Sequence, residues 1–147
     1  MQGKVLKVKR LAEDVELPRR ETEGSAGYDL RAHLEAPLEV QPGAWAMVPT
    51  GLGAEIPAGL AGMVFSRSGL GTKHGMVVAQ GVGVIDSDYR GEIKVPLRNM
   101  GEKPYAVQPG ERIAQLVLLP VQLLPVEEVQ ELTHTQRGQG GFGSTGK

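Results

Sequence analysis

Cysteine is absent from these 147 residues, so disulfides and thiolate metal sites are excluded. A basic excess is missing too. Sixteen Lys and Arg face seventeen Asp and Glu, for a net charge of -1, whereas a general nucleic-acid binder carries surplus positive charge. No stable nucleic-acid binding is expected, although a few arginines gathered around a small polyanion remain compatible with that balance. The three histidines, His33, His74 and His134, lie too far apart for a His-x-x-x-His zinc pair. A metal here should therefore be a hard cation held by oxygen, hence Mg²⁺. Long apolar runs are also lacking. The most apolar stretch, 113–126, is broken by Gln115, Pro120, Gln122 and Pro125 and is too interrupted to span a bilayer. The N-terminus carries charges where a signal peptide needs an apolar run. These features predict a protein without a membrane segment, located in the cytoplasm and about one domain long.

What is abundant is punctuation: 21 glycines and 10 prolines, with short β-branched runs between them. Gln41-Pro42-Gly43 and Gln108-Pro109-Gly110 each follow a fixed proline φ with a glycine able to take positive φ, as a type II turn requires. Pro57-Ala58-Gly59 and Asn99-Met100-Gly101 read as further turns. Candidate strands are 5–11, 28–32, 45–48, 53–56, 62–65, 76–79, 92–97, 106–107, 113–119 and 126–129, with room for one short helical turn at 70–74. Many short strands with frequent turns indicate an all-β sandwich or barrel. The end of the chain differs in kind. Residues 133–147 are rich in glycine and nearly devoid of core-forming side chains, so the expected organisation is a β domain over 1–132 and a mobile tail over 133–147.

Several segments could carry chemistry. Gly83-Val84-Ile85-Asp86-Ser87-Asp88-Tyr89 joins acids to an aromatic after a glycine-lined strand, and Gly in a strand can mark close approach of another molecule. On turn chemistry alone, Asp-Ser-Asp is a loop corner. Arg67-Ser68-Gly69 supplies a guanidinium fork, a hydroxyl and an unhindered amide, groups suited to phosphate oxygens, yet such a tripeptide also occurs in ordinary loops. Asp29 in Ala26-Gly27-Tyr28-Asp29-Leu30-Arg31 could be a plain surface partner of Arg31. Gln115 is a polar amide inside the apolar run that follows Gly110-Glu111-Arg112. The tail, Arg137 to Lys147, fits the opening of a Walker A pattern at Gly141, Gly146 and Lys147. That pattern also needs a preceding strand and a helix to receive the phosphates, which this glycine-rich run does not offer. Its amides and hydroxyls, with Arg137, could still wrap a triphosphate, and Phe142 offers a flat face for a base.

In their order and spacing, AGYDLR, SRSGL, GVIDSDYRGE, GERIAQL and RGQGGFGSTG resemble the five motifs of the trimeric dUTPase family, from about Ala26 to Gly146. The resemblance implies a jelly-roll-like β domain assembled as a homotrimer with sites shared between subunits. It implies hydrolysis of dUTP to dUMP and pyrophosphate, which keeps uracil out of DNA and supplies dUMP for thymidylate synthesis. Asp86 would activate the attacking water, and Asp29 would touch Mg²⁺ through water. Arg67, Ser68, Gly69 and Gln115 would hold the phosphates, completed from the tail by Arg137, Gly143, Ser144 and Thr145. Gly83, Val84 and Ile85 would read uracil through the backbone, Tyr89 would exclude a 2′-hydroxyl, and Phe142 would stack over the base. Two departures stand out: Ser66 precedes Arg67 where many members have Pro, and Gln80 takes a place often held by Asn. Two rivals follow from other readings. One is dCTP deaminase of the same fold, which tends to carry an aromatic before Ile-Asp where this chain has Val84. The other is a non-catalytic β binding module.

Overall fold

The structure is a computed structural model and describes residues 3–143 and 146. Ten strands and one short helix follow one another along the described residues. They are β1 (Lys7–Arg10), β2 (Tyr28–Arg31), β3 (Leu38–Val40), β4 (Trp45–Glu55) and β5 (Leu60–Ser66), then α1 (Ser68–His74) and β6 (Met76–Val78). The last four are β7 (Gly83–Ile85), β8 (Glu92–Asn99), β9 (Tyr105–Val107) and β10 (Arg112–Pro120). Two antiparallel four-stranded sheets, ordered β1-β4-β8-β6 and β2-β10-β5-β7, enclose the core, and β3 pairs with β9 beside them. The fold is a jelly-roll-like β domain: all-β, as the punctuated sequence leads one to expect, and jelly-roll-like, as the family resemblance implies. No helix among the described residues is long and apolar enough to cross a membrane.

Alternation builds the core. In β8, Ile93, Val95, Leu97 and Asn99 are buried while Lys94 and Arg98 are exposed and Pro96 is half-buried, the period of two that puts one strand face inside. The three apolar ones meet Leu30, Ile113 and Leu116 from the other sheet. Asn99 is the polar exception, fully buried, but its amide donates to the carbonyls of Val40 (2.9 Å) and Lys103 (2.7 Å) and accepts from Gly101 N–H (2.9 Å). Those three bonds fasten the β8 end to the β3–β9 pair.

The turns at Gly43, Gly59 and Gly110 have φ of 78°, 85° and 77°, the left-handed conformation glycine adopts without strain. Elsewhere the elements depart from the sequence reading. The runs 45–48 and 53–56 are one strand, β4, because its register with β8 shifts between Pro49 and Gly53, where Gly51 takes a φ of 69°. The irregularity absorbs residues that look like a break. Strand β8 runs on to Asn99, so Met100 and Gly101 follow a strand end. Residues 126–129 form no strand, and Val126 is 99% exposed.

Candidate active site

Strand β7 is the last strand of its sheet. One side of it pairs with β5, Gly83 opposite Val64 and Ile85 opposite Gly62. Its other side keeps a row of backbone donors and acceptors with no strand against it among the described residues. Beside this edge, between the two sheets, lies a cavity of 350 Å³, within the range of roughly 300–1,000 Å³ typical of small-ligand sites. Gly83, Val84 and Ile85 line it with Asp86 and Tyr89, and Met47, Lys94 and Pro96 of the opposite sheet form the far wall. The loop after β7 is held by its own backbone. Tyr89 N–H donates to the Asp86 carbonyl (3.1 Å), and the Arg90 guanidinium donates to the Ser87 carbonyl (2.7 Å). The Tyr89 hydroxyl donates to the Glu92 carbonyl (2.8 Å). The Asp86 carboxylate is exposed at the rim.

A second polar cluster sits elsewhere on the same sheet. Asp29 of β2 lies opposite Gln115 of β10, and Arg112 opposite Arg31, so all four share one face. Strict alternation would put residues 112 and 115 on opposite faces. A bulge between Arg112 and Ala114 adds one residue to β10 and turns Arg112 back toward Asp29. The Arg112 guanidinium lies 3.6 Å from Asp29 and 3.0 Å from Glu21, and Arg67 reaches Asp29 at 3.7 Å. Arg67 also donates to the Arg112 carbonyl (3.3 Å), and the Gln115 amide donates to the Ser66 carbonyl (3.1 Å). Three guanidiniums, those of Arg31, Arg67 and Arg112, face the two carboxylates of Asp29 and Glu21, so the cluster offers a polyanion directed donors and a small positive excess. Ser68 and Gly69 begin α1 beside it, both exposed. Ser66 accepts a bond from Val78 N–H through its hydroxyl (2.8 Å), tying the end of β5 to β6. That anchor gives the Arg-Ser-Gly loop a fixed base.

The two clusters do not meet within one chain. Ile85 pairs with Gly62, and Arg67 lies five residues further on, so about 17 Å of strand separates them at roughly 3.3 Å per residue. Asp86 is one residue beyond Ile85 in the opposite direction. The described part of the tail joins neither cluster. Arg137 donates to the Gly140 carbonyl (2.8 Å), and Phe142 is fully exposed with a φ of 50° beside Gly143. Neither Arg137 nor Phe142 lines the cavity. Ser144 and Thr145 lie outside the described residues. No group of three or more His, Asp or Glu side chains able to hold a metal occurs among the described residues.

Sequence reasoning singled out neither Arg112 nor the wall formed by Met47, Lys94 and Pro96. The wall residues come from β4 and β8, distant along the chain, and carry no local signal. Arg112 stood in a quoted motif, but its direction depends on a bulge visible only in the pairing. Gln80, given no role above, lines the cavity.

Comparison with known proteins gives this geometry a context. A family model described as dUTPase matches residues 13–146. The deoxyuridine 5'-triphosphate nucleotidohydrolase of Alcanivorax borkumensis is 48% identical over 139 residues, 94% of this chain and 93% of that protein. The solved structure of Staphylococcus bacteriophage 80alpha dUTPase with dUPNHPP superposes with a TM-score of 0.89 at 28% identity, covering 99% of this chain and 100% of that one. A variant dUTPase from phage phi11 of S. aureus, whose structure details coordination of a structural Mg(II) ion, gives a TM-score of 0.79 at 25% identity over 87% of this chain and 98% of its own. A family match spanning nearly every residue, joined to a relative of this identity and coverage, means that the chain belongs to the dUTPase family of hydrolases.

Proposed function

We propose that this chain hydrolyses dUTP to dUMP and pyrophosphate with Asp86 as general base. The activity, that of a dUTP diphosphatase, follows from family membership, and the observation carrying the site assignment is the cavity at the free edge of β7 with Asp86 and Tyr89 at its rim. An exposed strand edge reads a planar base through backbone N–H and C=O groups, as it would read an added strand, which assigns uracil to Gly83, Val84 and Ile85. Tyr89 lies against the deoxyribose and leaves no room for a 2′-hydroxyl. Asp86 accepts a proton from a water whose oxygen attacks the α-phosphorus. The bond from that phosphorus to the bridging oxygen breaks, and pyrophosphate leaves with the electron pair. Such transfer relies on positioning and neutralisation of charge. Arg67, Ser68, Gly69 and Gln115 bind the phosphate chain, the tail adds Arg137, Gly143, Ser144 and Thr145, and Phe142 covers the base.

Asp29 is held between two arginines, and the second carboxylate of the cluster, Glu21, is taken up by Arg112. That donor set suits no ion held by protein ligands alone, but Asp29 would hold through water a Mg²⁺ brought by the phosphates, an ion that gives up its waters reluctantly. When bound, the ion neutralises phosphate charge. The chain works as a homotrimer, with Asp86 and Arg67 of one site supplied by different subunits. Support comes from their separation along β5 and from Leu123, Leu124, Val126 and Leu132, exposed at 79%, 75%, 99% and 84% with nothing among the described residues to cover them. The tail, 133–147, closes over the nucleotide, and the enzyme acts in the cytoplasm, keeping uracil out of DNA and supplying dUMP.

The test is product analysis with dUTP, UTP, dCTP and dTTP, each with and without EDTA. Equal amounts of dUMP and pyrophosphate from dUTP alone, lost with EDTA, are expected. Ammonia released from dCTP would make the chain a deaminase. Tight dUTP binding without turnover would make it a binding module.

A further inference from the structure

We infer that Gly91 is a specificity-determining residue that acts by seating the Tyr89 ring. Its backbone does not demand glycine, since Gly91 is not among the residues with positive φ. Space demands it. A β-carbon at position 91 would lie 2.6 Å from Cζ and 3.0 Å from Cε2 of Tyr89, and closer still to Oη. Real β-carbons do not make such contacts with ring atoms. Tyr89 folds back over the bare α-carbon of Gly91, and from there its hydroxyl donates to the Glu92 carbonyl (2.8 Å). Yielding by the backbone is opposed at the other end of the residue, where Tyr89 N–H is bonded to the Asp86 carbonyl (3.1 Å). The soft coordinate is χ1 of Tyr89. Any side chain at 91 turns the ring off its seat and breaks the hydroxyl bond, while Asp86 keeps its place on the loop.

The consequence for selectivity rests on the reading of Tyr89 as the group that excludes a 2′-hydroxyl. A ring off its seat no longer presents that wall, so the discrimination falls although no residue touching the sugar has been replaced. Gly91 is thus a positioning residue, and it should be silent once the ring is gone.

Four proteins test this: wild type, Gly91→Ala, Tyr89→Ala and the double variant. For each, the UTP-to-dUTP ratio of kcat/KM and the melting temperature are measured. Rejection of one added hydroxyl by shape is worth about 10²-fold. Tyr89→Ala should therefore raise the ratio toward that limit and Gly91→Ala by about tenfold, while the double variant matches Tyr89→Ala. Gly91→Ala should lower the melting temperature by roughly 2–4 °C, and by nothing measurable in the Tyr89→Ala background. An unchanged ratio in Gly91→Ala, or an equal shift in both backgrounds, overturns the inference. If Tyr89→Ala itself leaves the ratio unmoved, the sugar-gate reading fails instead. The melting temperatures then decide the seating alone, which is refuted if Gly91→Ala costs the same with and without the ring.

Discussion

If Asp86 and Arg67 serve one site from different subunits, two inactive variants should rescue each other. Asp86→Asn removes the base but keeps the volume, and losing a general base costs about 10²–10⁴-fold. Arg67→Met removes the guanidinium but keeps much of the aliphatic stem. A hydrogen bond to a charged group is worth about 1.5–3 kcal/mol, which is roughly 10–150-fold in kcat/KM. The two chains are unfolded together at equal concentration, refolded, and assayed at low dUTP. In a mixed ring, a site works only when the chain giving residue 86 is the Arg67→Met chain and the chain giving residue 67 is the Asp86→Asn chain. Random assembly makes each condition about one half, so roughly a quarter of wild-type activity should return. Parents averaged without exchange stay near or below about 5%, half the residual rate of the milder variant. The structure supplies the reason to expect rescue: about 17 Å of β5 divides Arg67 from the strand end bearing Asp86, further than the two P–O–P links of a triphosphate reach. Activity no higher than the parents' average, in a mixture shown by light scattering to hold trimers, would put both residues of each site on one chain and refute the reasoning.

Three further outcomes are expected. Asn99→Ala leaves the Val40 and Lys103 carbonyls and the Gly101 N–H without their buried partner, so urea unfolding should show a loss of about 2–4 kcal/mol; a loss under 0.5 kcal/mol would mean that water replaces all three bonds. Burial, the hydrogen bond to Glu111 and its nearby charge push Tyr105 up from 10.0 to about 12, so the folded state holds its proton where the unfolded state has released it. Stability should therefore fall as pH rises from about 10 to 12, and Tyr105→Phe should flatten that decline, which alkaline melting curves would reveal. Phe142→Trp, fully exposed in the free chain, should show quenched or shifted emission when a non-hydrolysable dUTP analogue binds with Mg²⁺; unchanged emission would leave Phe142 without a role over the base.

The fold was legible because its signals are local. Pro-Gly pairs mark the turns at Gly43 and Gly110, and alternation marks β8. What escaped depends on pairing. The run 126–129 looks like a strand by its two β-branched valines, yet a strand exists only against a partner, and the described residues supply none there. Strand β4 looks like two because Pro49 and Gly51 are breakers when taken alone, whereas a shifted register with β8 accommodates both. The site divides likewise. Asp86 and Tyr89 sit in one loop and were readable together, while Arg112 points at Asp29 only through a bulge defined by β2.

The glycines carry the most general point. A glycine near a site invites the reading that a ligand's approach requires it, and Gly83 was read so from the sequence. In the structure a β-carbon at Gly83 would meet Cβ of Val64 at 3.2 Å, and one at Gly27 would meet Oε1 of Gln115 at 2.5 Å. At Gly91 the obstacle is the Tyr89 ring. At Gly27 and Gly91 the vacated space belongs to another side chain of this chain, one assigned to substrate. Glycine there acts one step back from the chemistry. It leaves room for a binding side chain to lie flat against the backbone, where Gln115 can reach the Ser66 carbonyl and Tyr89 the Glu92 carbonyl. Each glycine thereby fixes an orientation that the binding residue's own identity does not determine.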